Sequence, residues 1–190
     1  ETSLEGLHDH PVVHVTFEDA EAYARWAGKR LPTEAEWELA ARGGLARAEY
    51  EWGNELNPHG KFMANTWQGE FPWQNLAEDG YEGTSPVGAF PANGHGLYDM
   101  TGNVWEWTVN WFWGLGRLQH GCCRLHHPRT EHTFAVYGPC MPHVQIPRKV
   151  VKGGSFLCAP NYCRRYRPAA RMPQPVDTAT CHVGFRCVFP

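Results

Sequence analysis

The sequence has no cysteine before position 122, no marked excess of charge of either sign, and no apolar run approaching the roughly 20 residues that a membrane-spanning helix needs. Seventeen basic and 20 acidic residues give a formal charge of -3 and are spread along the chain, so the basic footprint of a nucleic-acid binder is missing. Neither nucleic acid nor a membrane is expected as a partner. The seven cysteines are odd in number and confined to Cys122–Cys187, a poor match to the evenly distributed framework of a small secreted disulfide protein. At least one thiol is then left for metal, redox or nucleophilic chemistry. Internal repeats are also absent.

What is present is 190 residues, 42% hydrophobic and 13% aromatic, enough for one sizeable core and short for two. Gly 20, Pro 15 and Trp 9 describe a loop-rich domain filled by large rings, with little regular secondary structure. Thr16 as N-cap with Asp19 in the first turn, followed by Ala20, Tyr23, Ala24 and Ala27, predicts a helix that stops at Gly28. Thr33-x-x-Glu36 is a capping box for a second helix through Trp37, Leu39 and Ala40, ended by Gly43-Gly44. Residues 51–91 show no sustained period and predict irregular chain whose backbone groups must find side-chain or ion partners. A Trp-rich strand follows Gly102-Asn103, and two more strands are predicted over Lys149–Leu157, broken by Gly153-Gly154, and over His182–Val188.

Cys158 and Cys163 are five positions apart, which fits neither a zinc knuckle nor a thioredoxin-type pair. Such a spacing places the side chains apart on a strand or a helix, so they converge only across a bend, and Pro160-Asn161 supplies one. A pair of thiolates with no nearby His or carboxylate suits a soft, low-coordinate ion such as Cu(I), and a two-sulfur site stays open to a further ligand. Arg164, Arg165 and Arg167 beside the pair are expected to lower the thiol pKa values. The plain alternative is a disulfide or two buried free thiols.

Several segments resemble the formylglycine-generating enzyme family: Lys29–Glu38, the stretch from Asn65 through Trp67-Gln68-Gly69-Glu70-Phe71-Pro72 to Glu78-Asp79-Gly80-Tyr81, Gly102–Trp107, Ser155–Cys163 and Gly184–Cys187. The resemblance implies an α+β formylglycine-generating enzyme, C-type-lectin-like fold, and copper-dependent oxidation by dioxygen of a cysteine in a Cys-x-Pro-x-Arg sulfatase peptide to formylglycine. By the same resemblance Cys158 and Cys163 are the Cu(I) ligands and redox pair, Ser155 lies beside the reacting sulfur, and Trp105 forms part of the oxygen pocket. It further implies two structural Ca2+ sites, one from Asn65, Thr66, Asp79 and Tyr81, the other from Asp99, Gly102, Val104 and Glu106, with carboxylate and carbonyl oxygens as the donors calcium takes. Turn chemistry is the alternative for Asn65 and Asp79, and ordinary packing for most of the Trp residues.

The chain departs from the family pattern in two places. Residues 113–147, with Cys122, Cys123, His126, His127, His132 and Cys140, do not resemble it and read as a surface insertion in which no compact zinc pattern is spaced. The opening Gly-rich strands of the family are also lacking, so one monomeric domain with part of its N-terminal region missing is expected. The resemblance implies a cytoplasmic compartment in a prokaryote and the secretory lumen in a eukaryote. A non-catalytic lectin-like interaction module of the same fold is the rival reading, and a histidine-rich helix that would favour an iron-dependent sulfoxide synthase is not visible.

Overall fold

The computed structural model describes residues 4–112 and 146–190. Helix α1 (Phe17–Trp26) starts at a reciprocal cap. Thr16 Oγ1 accepts the Asp19 N–H at 3.2 Å and the Asp19 carboxylate accepts the Thr16 N–H at 2.9 Å. Helix α2 (Glu34–Ala41) repeats the device with Thr33 and Glu36. Each box satisfies two N–H groups that a helix start would otherwise leave bare. Ala20 and Ala24 of α1 are buried, as are Trp37 and Ala41 of α2, in each case at a spacing that shares one helix face. Tyr23 and Leu39, which contributed to the helical period, face solvent instead at 51% and 68% exposure. Leu39 lies two residues from Trp37, hence on the opposite side of a helix only eight residues long.

Four strands, β1 (Trp105–Trp111), β2 (Arg148–Lys152), β3 (Met172–Pro175) and β4 (Val183–Gly184), form one sheet in the order β3-β2-β1-β4. The β1–β2 and β2–β3 pairs are antiparallel and β1–β4 is parallel. Strand β3 was not expected, because Met-Pro-Gln-Pro carries two prolines. They are tolerated because β3 is an edge, with Pro173 and Pro175 opposite Val150 and Arg148. The strand predicted over His182–Val188 is reduced to Val183–Gly184, while Val188 makes a single bridge to Arg30. Residues 51–91 are irregular as expected, with only a 3-10 turn at Pro58–Gly60. Several of their backbone donors go to side chains: Thr66 and Tyr81 to Asp79, Ser85 to Asn103, Gly88 to Asp99.

Large rings fill the core. Trp107 is fully buried with its edge on Phe17, ring centroids 5.9 Å apart, and donates from Nε1 to the Val15 carbonyl at 3.2 Å. Trp105, Tyr50, Tyr166 and Cys158 belong to the same cluster, whereas Trp37, Ala41 and Met100 form a smaller one. The sheet therefore presents its inner strand directly to the thiol-bearing loop.

One buried acid lacks full compensation. Glu51 is 4% exposed; its Oε1 accepts the Thr101 hydroxyl at 2.8 Å and its Oε2 has no partner among the described residues. Burial pushes its pKa up to about 7, with the Asp99 charge adding to the rise and the Thr101 hydrogen bond and Arg186 opposing it. A carboxyl raised in the folded state contributes stability that is fully present below its ordinary value near 4.5 and lost as pH rises through about 7. Relative to Glu51→Gln, the parent is therefore expected to lose up to roughly 3 kcal/mol of unfolding free energy between acid and alkaline pH, taking ~1.4 kcal/mol per pKa unit. Urea titrations of both proteins at pH 5 and pH 8 read this directly. Parallel pH dependence in the two would refute it.

Candidate active site

The thiol site begins where β2 ends. Gly153 and Gly154 take φ of +96° and +78°, and a Cβ at Gly154 would lie 2.9 Å from the Tyr166 N and Cα atoms. The chain can turn off the sheet against Tyr166 only with glycine there. The following segment is pinned by backbone bonds: Gly102 N–H to the Gly153 carbonyl at 2.9 Å, Phe156 N–H to that of Asn103 at 2.9 Å, Cys158 N–H to that of Ser155 at 2.9 Å, and Trp67 N–H to that of Cys158 at 3.1 Å. Tyr162 and Cys163 then both donate to the Ala159 carbonyl, closing one turn over Pro160-Asn161. The two sulfurs meet at 3.2 Å as free thiols, beyond the roughly 2.05 Å of a disulfide. Gly154→Ala is expected to cost about 2 kcal/mol through strain and overlap. It should lower the denaturation midpoint and prevent the Cys158–Cys163 disulfide that a mild oxidant forms in the parent, as read by peptide mapping.

The two thiols are unequal. Cys158 is 2% exposed, and its hydrogen bond with Cys163 and its burial push its pKa up. Cys163 is half-buried; the hydrogen bond from Cys158 holds its pKa below the usual thiol value against its own partial burial, with Arg165 assisting. The pair thus loses its first proton at Cys163, and the remaining proton is shared. Of the three arginines expected to act on the pair, only Arg165 does. Arg164 instead donates to Glu49 at 3.0 Å and to the Tyr50 hydroxyl at 3.2 Å, and Arg167 donates to the Arg164 carbonyl. Ser155 is fully buried, accepting the Leu157 N–H at 3.3 Å, and Trp105 is 2% exposed in the cluster that contains Cys158.

A wall that the sequence did not reveal flanks the thiol turn. Trp67 meets Phe71 edge-on at 5.1 Å, Phe71 stacks on Tyr162 at 4.4 Å, and Asn161 Nδ2 donates to Glu70 at 2.7 Å. Beside it lies a cavity of about 300 Å³ bounded by Leu56, Phe62, Trp67, Glu70, Pro160 and Asn161. These partners are as much as 91 residues apart in the chain, and no local pattern announces them.

The donor sets can be tested against the ions expected of them. At the thiol pair the donors are two sulfurs, and no group of three or more His, Cys, Asp or Glu side chains converges among the described residues. That composition fits a soft, low-coordinate ion and not a four-ligand zinc site. Asn65, Thr66, Asp79 and Tyr81 are brought together: Asp79 accepts the Thr66 and Tyr81 N–H groups at 3.1 and 3.0 Å, and the buried Asn65 Oδ1 has no donor among the described residues. Asp79 also accepts Gln68 Nε2 at 2.8 Å, so a hard cation here would take the orphaned Asn65 oxygen and share the Asp79 carboxylate with these donors. The second set fits less well. Glu106 accepts from Trp37 Nε1 at 2.6 Å and from Arg186 Nε and Nη2 at 2.5 and 2.7 Å, so a cation beside Asp99 would have to share it with a guanidinium. Burial raises the Asp99 pKa, and the nearby Glu106 charge adds to it. Cys122, Cys123, His126, His127, His132 and Cys140 lie outside the described residues.

The family model of the sulfatase-modifying factor enzyme 1-like domain matches residues 1–189. The chain belongs to this family. It is 57% identical over 182 residues to the formylglycine-generating enzyme of Mycobacterium tuberculosis (strain ATCC 25618 / H37Rv), covering 94% of this chain and 57% of that protein. With the formylglycine-generating enzyme of Thermomonospora curvata the identity is 52%, over 98% of this chain and 57% of the relative. A Bos taurus relative named inactive C-alpha-formylglycine-generating enzyme 2 is 40% identical, with 94% and 50% covered. The chain therefore spans little more than half the length of these curated relatives. Among solved structures, PvdO from Pseudomonas aeruginosa superposes with a TM-score of 0.63 at 26% identity, over 93% of this chain and 60% of that one. The fold expected from the sequence, that of the sulfatase-modifying factor family with little regular secondary structure, is the one observed.

Proposed function

We propose that this domain oxidises a cysteine in a sulfatase-type polypeptide to formylglycine, with dioxygen as oxidant and Cys158 and Cys163 as the reactive pair. The observation that carries the reading is the pair itself: two free sulfurs 3.2 Å apart, one buried and one half-buried, on a turn fixed by backbone hydrogen bonds with two other segments, Gly102-Asn103 and Trp67. A core that needed only packing has no physical use for two convergent thiols with displaced pKa values. Membership of a family whose similar members are named formylglycine-generating enzymes supports the same reaction.

Cys158 and Cys163 would hold a Cu(I) ion, which when bound supplies the one-electron chemistry that couples dioxygen to removal of hydrogen from the substrate Cβ. The protein does the rest. Cys163 is the readily ionised ligand and Cys158 the buried one that gives up its proton on metal uptake, since a thiol binds metal as thiolate. Ser155 holds the loop from which Cys158 projects, and Trp105 closes the inner side of the site with a large ring that excludes water. The cavity beside Pro160 and Asn161 receives a substrate side chain, while the extended peptide, a Cys-x-Pro-x-Arg segment, lies along the Trp67–Phe71–Tyr162 wall. Dioxygen takes two electrons and two protons from the substrate carbon and sulfur to become hydrogen peroxide, and water then adds to the resulting thioaldehyde carbon and expels the sulfur as sulfide, leaving the aldehyde. A Ca2+ ion at Asn65 and Asp79 would brace the residue next to Trp67, and thereby the Cys158 carbonyl; the Asp99–Glu106 set is the weaker of the two calcium sites.

The bovine relative named inactive keeps open a second reading as a binding module. Mass spectrometry of a synthetic Cys-x-Pro-x-Arg peptide incubated aerobically with the Cu(I)-loaded protein separates the two. Conversion of the peptide cysteine to aldehyde is the expected result. Stoichiometric copper uptake without aldehyde would overturn the oxidase reading in favour of the binding module.

A further inference from the structure

Gln68, next to the wall residue Trp67, is 8% exposed and folds back on its own loop. Its Nε2 donates to the Asp79 carboxylate at 2.8 Å and to the Thr66 carbonyl, and its Oε1 accepts the Asp79 N–H at 3.3 Å. Its main chain is held separately: the N–H donates to Asn75 Oδ1 at 3.4 Å and the carbonyl accepts the Leu76 N–H at 2.7 Å. The backbone can therefore stay in place while the side chain rotates. The two oxygens that Nε2 touches, on Thr66 and Asp79, belong to two of the four groups expected to hold a cation there. An amide NH2 carries two polarised hydrogens, and here they serve the two acceptors much as a small positive charge would. The buried Asn65 Oδ1 is the acceptor left over, without a donor among the described residues. The other donors to Asp79, the Thr66 and Tyr81 N–H groups, are fixed in the main chain, whereas Gln68 Nε2 ends a rotatable side chain.

We propose that Gln68 is an internal competitor for the cation at Asn65 and Asp79: its amide serves the Thr66 and Asp79 oxygens in the ion-free protein and swings away when an ion binds. The proposal rests on the reading that this set holds calcium, and on nothing about the thiol chemistry. Calcium takes oxygen ligands at about 2.3–2.6 Å. Gln68 Nε2 already stands 2.8 Å from Asp79 Oδ2 and in contact with the Thr66 carbonyl, so the amide nitrogen and an ion cannot both sit between those two oxygens. Gln68 must then give up a hydrogen bond to a charged acceptor, and the apparent affinity for the ion falls by the free energy of that bond. The same side chain keeps the loop assembled at calcium concentrations too low to fill the site. Trp67, whose N–H holds the Cys158 carbonyl at 3.1 Å, is thereby supported with or without the ion.

Titration calorimetry of calcium chloride into the protein, freed of divalent ions by a chelator, tests the competition. Gln68→Met, which keeps the length of the side chain and lacks the amide, and Gln68→Ala should each bind calcium roughly 10-fold more tightly than the parent, because no hydrogen bond to a charged group has to be broken. Both variants should melt below the parent in chelator and gain more from saturating calcium than the parent gains. Asn65→Ala, which removes an oxygen that the amide does not serve, should bind more weakly than the parent. Equal calcium affinity in the parent and both Gln68 variants overturns the competition and leaves the calcium site standing. Weaker binding by both Gln68 variants overturns it as well, and makes Gln68 a ligand. A parent that takes up no calcium, or an Asn65→Ala protein with the parent's affinity, removes the site and the proposal with it. No copper or peptide enters the titration, so each of these outcomes is distinct from failure of the aldehyde assay.

Discussion

Cys163→Ser is expected to abolish aldehyde formation, and Cys158→Ser to do the same, while neither unfolds the domain. Serine oxygen is a hard, protonated donor at neutral pH and cannot replace a thiolate toward a soft ion. The loss should exceed the roughly 10–100-fold that removal of an outer-shell partner costs, because a member of a two-sulfur set is removed outright. Cys163 is half-buried and its deletion leaves no large cavity, so thermal midpoints should stay near the parent value. Peptide mass spectrometry and a chromophoric Cu(I) competition assay check both halves. Retention of copper affinity by either serine variant would contradict the assignment of the pair as ligands.

Arg186→Met is expected to be among the most destabilising single changes outside the thiol site. Glu106 lies on β1 with a side chain only 7% exposed, and the guanidinium of Arg186, whose side chain is 26% exposed, grips both its oxygens. The same guanidinium caps the Tyr98 and Asp99 carbonyls at 3.1 and 3.2 Å. Removing it leaves a buried carboxylate with Trp37 Nε1 as its one remaining donor among the described residues and frees two carbonyls. Breaking such a pair costs about 3–5 kcal/mol, and the partial exposure of the Arg186 side chain favours the lower end of that range. The double variant Glu106→Gln, Arg186→Met should recover part of the loss, since no uncompensated charge then remains. Urea denaturation of the three proteins measures it. A single variant within 1 kcal/mol of the parent would show that solvent reaches Glu106, since surface pairs contribute about that little.

The helices were legible because their signals are local. Thr16 with Asp19 and Thr33 with Glu36 sit three residues apart, and nothing distant is needed to close the caps. The sheet was legible only in part. β1 and β2 carry apolar residues, but β3 hides behind two prolines that become acceptable only at an edge, and an edge is a property of the assembled sheet. Resemblance of the Cys158–Cys163 segment to a known family drew attention to the pair. Its electrostatics were misread for Arg164, whose partners Glu49 and Tyr50 lie over 110 residues away in the chain, and for Arg167, which donates to the Arg164 carbonyl.

By itself the sequence determined the two capping boxes, the low content of regular structure, the lack of a nucleic-acid footprint, and a cysteine pair spaced so that only a bent chain could join it. All of these follow from composition or from contacts within about five residues, where chain connectivity leaves few alternatives. Tertiary structure alone decided that the sulfurs meet at 3.2 Å, that one thiol is raised and the other lowered, and that Glu106 faces Arg186. It likewise decided the ring stack of Tyr166, Tyr50 and Trp52 behind the pair. Burial and long-range hydrogen bonds set these outcomes, since the free energy of a buried charge or thiol depends on groups that folding, and not the order of residues, brings alongside it.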